Sequence, residues 1–303
     1  MQYRRIATFI LCVVTLSWGC ASTRSTAGRA TADTGGASRK AIPLRDTHED
    51  LNSVLWVQTS GEFWALSSTT YNNAQVLLEQ AKSQKSWSAA LEQQPGYENL
   101  PAAVIMDLDE TVLDNSPAQG QFVLDRTGYL QEVWGAWVHT VGAAALPGAQ
   151  SFIASAEKNG IKVFFVTNRS LSEQADTLKN LAALGITAAD ETVLCSGENG
   201  WTSDKTARRT EIAKAYRVLL LVGDDMNDFV STATLTPPQR LALAKTHADR
   251  WGKSWILLPN AMYGSWERAL FPGLTKDEEI LLRKRQQVKG FRRSDGYTVV
   301  GSR

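Results

Sequence analysis

Two aspartates, Asp107 and Asp109, stand two positions apart in the segment DLDET, directly after the apolar run AAVIM. If a strand ends at Asp107 and the chain then turns, both carboxylates can face one pocket, where a cation offsets their mutual repulsion. The pair alone is weak evidence, because two acids also occur together in surface turns and in the metal-binding loops of other folds, glycosyl transferases among them. By itself it predicts only a cation site.

Polar residues also close two later apolar runs of the chain. Thr167 and Asn168 end the run IKVFFVTN, and Asp224 and Asp225 end the run YRVLLLVGDD. In an open parallel sheet, ligands bind outside the carboxyl ends of the strands. We therefore expect these residues to meet Asp107 at one edge of a sheet.

The elements that position these residues follow from the hydrophobic pattern. Short apolar runs (AAVIMD, IKVFFVTN, TVLCS, YRVLLLVGDD and SWILLPN) are typical of strands covered on both faces. They are separated by stretches that can form helices, including 148–159, 171–184 and 203–215. This alternation predicts an α/β fold with a parallel sheet and helices on both of its faces.

Three further stretches frame this core. Apolar and aromatic residues at near-helical spacing predict helices over about 47–92. The stretch of about 113–146 interrupts the alternation, carries Trp134 and Trp137, and is predicted to be a cap inserted over the site edge. Residues 270–290 predict a charged helix that packs with the N-terminal helices beside the cap.

The order of the motifs resembles that of the haloacid dehalogenase superfamily, since DLDETVLDNS is followed by TNR, then by Lys205, then by GDDMND. Within that superfamily, the sequence is similar to the bacterial class C acid phosphatases, the lipoprotein acid phosphatases of the outer membrane. The shared motifs are W-x-x-W, PG, VTNR, K-x-x-R, GDDMNDF and LPNAMYGSWE. The resemblance covers most of the chain. It implies a Rossmann-like parallel sheet flanked by helices, with a smaller, mainly helical cap built from the insertion after the first strand and from the terminal helices.

The resemblance also implies a magnesium-dependent phosphomonoesterase in which the acidic residues have distinct roles. Asp107 would be the nucleophile that attacks phosphorus. Mg²⁺ would bind to Asp107, the backbone carbonyl of Asp109, and Asp224, with Asp228 supporting these ligands. Positive charge is needed there, because a phosphate monoester dianion repels an attacking carboxylate. The Asp109 side chain would protonate the departing alkoxide and then activate the hydrolytic water. Asp225 is left out of the ligand set, because relatives often carry Asn at that position.

The remaining site residues would contact the phosphoryl group of the substrate. Thr167 and the backbone N–H of Asn168 would hydrogen-bond its oxygens, and Lys205 would balance the charge of the aspartyl-phosphate. Arg169 and Arg208, from the motifs TNR and K-x-x-R, are assigned with Asn168 to substrate binding. The ordinary alternatives are that Thr167 simply ends a strand and that Lys205 is a solvated helix residue.

Two aromatic residues carry the expected specificity. By the resemblance, Trp134 and Tyr263 sandwich the ring of the substrate, so 5′-nucleotides and nicotinamide mononucleotide are the expected monoesters. Trp137, one helical turn from Trp134, is interpreted as a packing residue. Two alternatives keep the fold: a phosphotransferase that uses the same aspartyl-phosphate, and a non-catalytic surface lipoprotein that binds nucleotides. Intact Asp107 and Lys205 favour an enzyme over the binding protein.

The N-terminus has the layout of a bacterial export signal. Arg4 and Arg5 precede an apolar run at 6–16, which gives way to Gly19 and Cys20. Cleavage before Cys20 would leave a lipidated cysteine at the mature N-terminus, as in bacterial lipoproteins. The alternative is an ordinary cleaved signal with an incidental cysteine.

This interpretation divides the chain into three parts. Residues 1–19 would be the signal peptide, 20–45 a flexible tether poor in large apolar residues, and 46–303 the phosphatase domain. The mature protein would be exported, either as an outer-membrane lipoprotein or in the periplasm. Cys195 would then have no disulfide partner, because Cys12 lies inside the signal peptide and Cys20 is expected to carry lipid.

The overall composition limits the partners. The 303 residues are 43% hydrophobic and 21% charged, which is enough apolar material for one sizeable core. The net charge of +1 creates no field that would attract nucleic acid or an acidic membrane face. The expected partners are small phosphate monoesters, with no nucleic acid polymer and with membrane contact only through the lipid anchor. Class C relatives also suggest a homodimer.

Overall fold

The computed structural model describes residues 48–289 of the chain. The predicted signal peptide, the lipidation site Cys20 and the tether up to residue 45 lie outside the described residues. Between residues 48 and 289, no helix combines the length and the apolar character needed to cross a bilayer.

Strands and helices alternate along most of the described chain. The strands are β1 (Ala102–Met106), β2 (Leu113–Asp114), β3 (Ala144–Ala145), β4 (Lys162–Ser170), β5 (Val193–Ser196), β6 (Arg217–Gly223) and β7 (Trp255–Leu257). The helices are α1 (Leu51–Thr59), α2 (Gly61–Ser83), α3 (Ser116–Asp125), α4 (Gln131–His139), α5 (Ala149–Lys158), α6 (Gln174–Ala183), α7 (Thr206–Ala215), α8 (Pro237–Thr246), α9 (Ser265–Arg268) and α10 (Asp277–Gln287).

Parallel strands form the central sheet in the order β5-β4-β1-β6-β7. This arrangement confirms the predicted α/β fold. Every residue of β6 is buried, as expected for a continuous apolar run covered on both faces. Successive β1 side chains point to opposite faces of the sheet. Val104 and Met106 join a core with residues of α2 and α5, whereas Ala103 and Ile105 join a second core with residues of α7.

The prediction of helices over about 47–92 is confirmed by α1 and α2 and is wrong in its last part, because α2 ends at Ser83. The following residues pack onto β6 instead. Trp87 donates through Nε1 to the carbonyl oxygen of Leu219 at 2.7 Å, and the N–H of Ala89 donates to the carbonyl oxygen of Val218 at 2.8 Å. These tertiary hydrogen bonds outweigh the local helical pattern.

Two later helices also differ from the sequence expectation. The hydrophobic pattern does not predict α8, although Thr236 and Gln239 form a capping box at its start and proline occupies its first turn. The helix predicted over 270–290 is shorter, since α10 covers only part of that stretch. Lys284 of α10 contacts Glu49, just before α1, so α10 lies beside the N-terminal helices.

The chain between β1 and α5 leaves the central sheet. β2 and β3 form a short antiparallel pair with Leu113 opposite Ala145, and α3 and α4 come between them in sequence. α3 packs on α1, where Gln58 Nε2 donates to the carbonyl oxygen of Ser116 at 2.9 Å. The segment is mainly helical and returns next to its starting point before α5 resumes the alternation.

Candidate active site

The ends of β1 and β6 place the first two carboxylates. Met106 lies opposite Val222 in the sheet, and Asp107 continues the ladder by donating its N–H to the carbonyl oxygen of Val222 at 2.9 Å. Asp224 directly follows Gly223, the last residue of β6. Asp107 and Asp224 therefore leave neighbouring parallel strands at the same edge of the sheet.

Asp107, Asp224 and Asp228 form an acidic cluster in which one carboxylate oxygen from each lies within 4.8 Å of the others. Asp228 belongs to the short 3₁₀ helix that follows β6. It can approach because Gly223 has no side chain: a Cβ atom there would lie 2.2 Å from Oδ2 of Asp228. Glycine at position 223 is therefore a requirement of the cluster.

Lys205 brings its ammonium group to two carboxylates of this cluster. It directly precedes α7 and is 4% exposed, so it is not a solvated helix residue. Its Nζ contacts Oδ1 of Asp107 and donates to Oδ1 of Asp228 at 2.6 Å. Burial lowers the pKa of Lys205, but the two carboxylates outweigh that effect and hold its pKa above the usual value. Lys205 is therefore charged at neutral pH.

The charge balance of the cluster fits a divalent cation. Burial raises the pKa of Asp107 to about 7, against the lowering effect of Lys205. Burial also raises the pKa of Asp224 well above its usual value, and the neighbouring Asp228 and Asp107 add to the rise. When ionised, the three carboxylates exceed the single ammonium by two negative charges. Buried oxygen donors with that excess suit a hard cation of charge +2.

Protein donors orient the carboxylates of the acidic cluster. Asp224 accepts from Oγ1 of Thr111 at 3.1 Å on one oxygen and from Nδ2 of Asn260 at 2.8 Å on the other. Asp228 accepts from the N–H of Asp225 at 2.9 Å on Oδ2, while its Oδ1 holds the ammonium. Neither Thr111 nor Asn260 is predicted from the sequence, although Thr111 ends the motif DLDET and Asn260 lies in LPNAMYGSWE.

Asp225, the residue excluded from the ligand set, has partners of its own. Its carboxylate accepts from the N–H of Asn227 at 2.9 Å and from the N–H of Ser265 at 2.6 Å. These bonds tie the turn after β6 to the start of α9. Asp225 therefore has a visible structural role.

Asp109 lies outside the acidic cluster and is held by a different group of residues. Its Oδ1 accepts from Nε and Nη2 of Arg169, at 2.9 and 2.8 Å, and from Nδ2 of Asn115 at 2.9 Å. Arg169 is 2% exposed, and it also donates to Oγ1 of Thr177 at 3.1 Å. The sequence assigns Arg169 to substrate binding, but the structure directs its guanidinium to protein groups. Asn115 is not predicted from the sequence as a site residue, although it lies in DLDETVLDNS.

Thr167 and Asn168 lie beside this edge on β4. The pairing of β1 with β4 runs to Phe165 opposite Met106, so Thr167 follows where β1 has ended. Thr167 is buried, and its Oγ1 accepts from the N–H of Arg169 at 3.1 Å. Its hydroxyl hydrogen is still available to donate. The side chain of Asn168 is exposed.

Arg208, on α7, holds the part of β4 that contains Thr167 and Asn168. It is fully buried, and its guanidinium contacts the carbonyl oxygen of Thr167, Oδ1 of Asn168 at 2.8 Å and the carbonyl oxygen of Thr202 at 2.9 Å. The sequence assigns Arg208 to substrate binding. The structure instead gives it protein acceptors, so it positions the residues that were expected to bind phosphate.

The predicted ring-binding residues contact two neighbours of Asp109, Arg169 and Glu110. Trp134 is 8% exposed, and the guanidinium carbon of Arg169 lies 5.6 Å from the centroid of its ring. Tyr263 is partly buried, and its hydroxyl donates to the carboxylate of Glu110. Tyr129 lies 6.4 Å from Trp134 between ring centroids and is 61% exposed. The structure therefore adds Tyr129, which the sequence analysis did not assign to the site, to this aromatic group.

Trp137 and Glu110 connect this aromatic group to Asp109. Trp137 donates through Nε1 to Oδ1 of Asn115 at 2.8 Å, so it makes a polar contact in addition to packing. Glu110 is buried, and burial raises the pKa of its carboxyl well above the usual value. It accepts from the N–H of Asn115 at 2.7 Å. A continuous hydrogen-bonded group thus surrounds Asp109.

Comparisons with known sequences place the chain in a family. The model of the haloacid dehalogenase superfamily, subfamily IIIB (acid phosphatase), matches residues 30–266. The stem 28 kDa and stem 31 kDa glycoproteins of Glycine max are each 27% identical to the chain over 131 residues. The matched part is 42% of this chain and 52% and 45% of the two glycoproteins. The chain therefore spans about half the length of the curated relatives it matches.

Two solved structures of the class C acid phosphatase from Bacillus anthracis are similar over a larger part of the chain. The structure with tungstate bound is 30% identical, has a TM-score of 0.73, and covers 83% of this chain and 100% of that one. The second is 30% identical, has a TM-score of 0.74, and covers 82% of this chain and 100% of its own. The parallel sheet, the motif order and these matches agree. The chain belongs to the acid phosphatases of haloacid dehalogenase subfamily IIIB and has the class C acid phosphatase fold.

Proposed function

We propose that this chain hydrolyses phosphate monoesters, with Asp107 as the nucleophile. The observation that carries the proposal is the contact of Asp107 with the buried Lys205 inside an acidic cluster that fits a divalent cation. A binding protein needs no carboxylate beside a fixed ammonium, whereas phosphoryl transfer needs positive charge around the attacking group. Membership of an acid phosphatase family supports the same activity.

In the first half-reaction, a carboxylate oxygen of Asp107 forms a bond to phosphorus, and the bond from phosphorus to the ester oxygen breaks. Lys205 donates to Oδ1 of Asp107, and within the described chain Oδ2 has no protein donor. Oδ2 is therefore the oxygen that can attack. The hydroxyl of Thr167 and the N–H of Asn168 donate to the phosphoryl oxygens. The ester oxygen leaves as an alkoxide that takes a proton from the carboxyl of Asp109.

In the second half-reaction, water attacks the phosphorus of the aspartyl-phosphate. Asp109 accepts a proton from that water, the bond between Asp107 and phosphorus breaks, and inorganic phosphate leaves. The carboxylate of Asp107 is then regenerated, and Asp109 is again protonated. The side chain of Asp109 is 17% exposed, so it is accessible from the solvent side of the site.

We propose Mg²⁺ as the cation. Asp107, Asp224 and the backbone carbonyl of Asp109 would hold it, with Asp228 supporting the ligands. Mg²⁺ prefers oxygen donors and keeps several waters, so a small number of protein groups is sufficient. When bound, Mg²⁺ supplies charge that stabilises the transferring phosphoryl group.

We also propose 5′-nucleotides and nicotinamide mononucleotide as substrates, with Trp134 and Tyr263 binding the ring. The two side chains contact Arg169 and Glu110, which belong to the group that surrounds Asp109. Stacking on aromatic side chains tolerates different rings, because every base offers a π face. The relative from Bacillus anthracis was solved with tungstate, a tetrahedral oxyanion like phosphate, and this supports an oxyanion site in the shared fold.

Phosphate release tests the proposal directly. Wild-type protein is incubated with p-nitrophenyl phosphate, adenosine monophosphate or nicotinamide mononucleotide, with Mg²⁺ or with a chelator. We expect turnover of all three that a chelator abolishes and added Mg²⁺ restores. Asp107→Asn should be inactive, while Asp125→Asn, at an exposed acid at the end of α3, should keep wild-type activity. Absence of turnover with every divalent metal tried would overturn the assignment as an enzyme.

We further propose that the protein is exported and anchored through Cys20, and that it forms a homodimer. The signal-like N-terminus supports the first part, and the resemblance to class C relatives supports the second. Fatty-acid labelling of wild type but not of Cys20→Ser would support the anchor. Light scattering that gives the monomer mass at micromolar concentration would exclude the dimer.

A further inference from the structure

Asn115 is the residue at which most contacts around Asp109 converge. It stands between β2 and α3 and is fully buried. Its Nδ2 donates to Oδ1 of Asp109 at 2.9 Å and to Oε2 of Glu110 at 3.3 Å. Its Oδ1 accepts from Nε1 of Trp137 at 2.8 Å and from Nη2 of Arg169 at 3.3 Å.

The orientation of this amide has a single solution. Trp137 and Arg169 can only donate, so the oxygen of Asn115 must face them. Its nitrogen then faces the carboxylates of Asp109 and Glu110, which accept. The two donors alone therefore fix the orientation of the amide, whatever the protonation of the two acids.

Asn115 and Arg169 together fix one oxygen of Asp109. Three donor atoms from these two side chains converge on Oδ1. Among the residues that the structure describes, none donates to Oδ2 of Asp109. Two planar groups on one oxygen restrict the rotation of the carboxyl, and the free oxygen keeps a constant direction. A proton carried on Oδ2 is then delivered to one place.

We propose that Asn115 is a positioning residue that holds Asp109 in the orientation needed to transfer a proton to the leaving group. This inference rests on the proposed function, in which Asp109 is the acid and base. It also connects that function to the aromatic residues. Trp137 lies on α4 with Trp134, and Glu110 contacts both Asn115 and the hydroxyl of Tyr263.

The reaction itself separates positioning from a merely structural role. p-Nitrophenolate is a stable leaving group that departs without a proton, whereas the alkoxide of a 5′-nucleotide needs one. A variant that misplaces Asp109 should therefore lose more kcat/KM on adenosine monophosphate than on p-nitrophenyl phosphate. A variant that only loosens the fold should lose the same factor on both.

Three variants test the proposal with these two substrates. Asp109→Asn sets the full effect, because general acid catalysis contributes about 10²–10⁴-fold. For Asn115→Ala, we expect a loss on adenosine monophosphate about tenfold larger than the loss on p-nitrophenyl phosphate, an intermediate share of that range. Trp137→Phe keeps an aromatic side chain and removes the five-membered ring that carries the Nε1 donor. It should show the same preference to a smaller degree, and it keeps the test decisive if Asn115→Ala does not fold.

The matched control is Asn180→Ala. Asn180 is also a buried asparagine whose amide makes two hydrogen bonds, both to the backbone of Ala143. It should change the two substrates by the same factor. Equal losses on both substrates in Asn115→Ala and Trp137→Phe, with a selective loss kept in Asp109→Asn, would overturn the positioning role and leave the proposed function intact. A non-selective Asp109→Asn would overturn the acid role and the positioning role together.

Discussion

The described chain contains two groups of three carboxylates, each with its own lysine. Only one of the two groups is buried and held as a catalytic site requires. The acidic cluster of Asp107, Asp224 and Asp228 lies at the carboxyl edge of the sheet, and Lys205 contacts Asp107 and Asp228. A second group, the junction cluster, consists of Glu49, Asp50 and Glu267, with Lys284 bound to its two glutamates. Their composition is nearly the same, so composition does not decide which group can do chemistry.

Burial and support make the difference. The side chain of Lys205 is 4% exposed. Asp107 follows a strand end, and hydrogen bonds from protein donors hold the carboxylates of Asp224 and Asp228. In the junction cluster the side chain of Lys284 is 17% exposed and that of Glu49 is 37% exposed. Its members come from the start of the described chain, from α9 and from α10. Water can screen the junction cluster, whereas the buried oxygen donors of the acidic cluster suit a bound cation.

Removal of each lysine should give the largest contrast between the two clusters. Lys205→Met leaves buried carboxylates without their ammonium, so we expect a loss of about 3–5 kcal/mol in the free energy of unfolding and a loss of activity of about 10²-fold or more. Lys284→Met should cost at most about 1 kcal/mol, because its partners are partly solvated. Urea denaturation and phosphate release measure both. Equal effects of the two substitutions would contradict the comparison.

The rise in Tm on cation binding should distinguish the two clusters without a measurement of turnover. Mg²⁺ at about 100 times its Kd should stabilise the wild-type protein by about 2.7 kcal/mol, because it binds the folded state alone. Asp224→Asn removes a ligand and should abolish this rise in Tm. The matched change in the junction cluster, Glu267→Gln, should keep it. A rise that survives Asp224→Asn but is lost in Glu267→Gln would move the cation to the junction cluster.

The pH dependence of stability should reveal a smaller effect at the junction cluster. Burial raises the pKa of Asp50 to about 6, with Glu267 and Glu49 adding to the rise. The folded state thus binds this proton more tightly than the unfolded state. The stabilisation of the folded state by this bound proton is complete below about pH 4, and it is lost as the pH rises through about 6.

Asp50→Asn removes this loss. The variant should be more stable than wild type by about 1 kcal/mol at pH 7.5, a value reduced for the partial exposure of the group. It should show no gain at pH 4 and no change in activity. Thermal unfolding at the two pH values measures the difference, and a gain of equal size at both would show that the proton is not its source.

The sequence predicts the acidic cluster well because each of its acids follows a strand or a strand-linked turn. Asp107 ends the run AAVIM, and Asp224 ends the run before GDDMND. Parallel pairing then brings them together without any information on side-chain packing. The sheet was predictable for the same reason, since its strands are continuous apolar runs. The roles of Mg²⁺, Cys20 and the substrate ring stay predictions.

The rest depends on contacts between distant segments, which no local pattern records. The junction cluster joins residues near both ends of the described chain, and the end of α2 is decided by the bonds of Trp87 to β6. Arg169 and Arg208 have the residue type of phosphate ligands, but folding turns their guanidinium groups toward protein acceptors. Only the folded chain could show Asn115 between Asp109 and Trp137.

The nucleophilic role of Asp107 is the central claim, and mass spectrometry of acid-quenched protein during turnover of adenosine monophosphate tests it most directly. The account predicts a phosphoryl group on the peptide that contains Asp107. It should be absent from Asp107→Asn. With p-nitrophenyl phosphate, whose leaving group needs no proton, it should accumulate in Asp109→Asn, where the hydrolytic water lacks its base. A phosphoryl group on another residue, or steady turnover by Asp107→Asn, would contradict the claim.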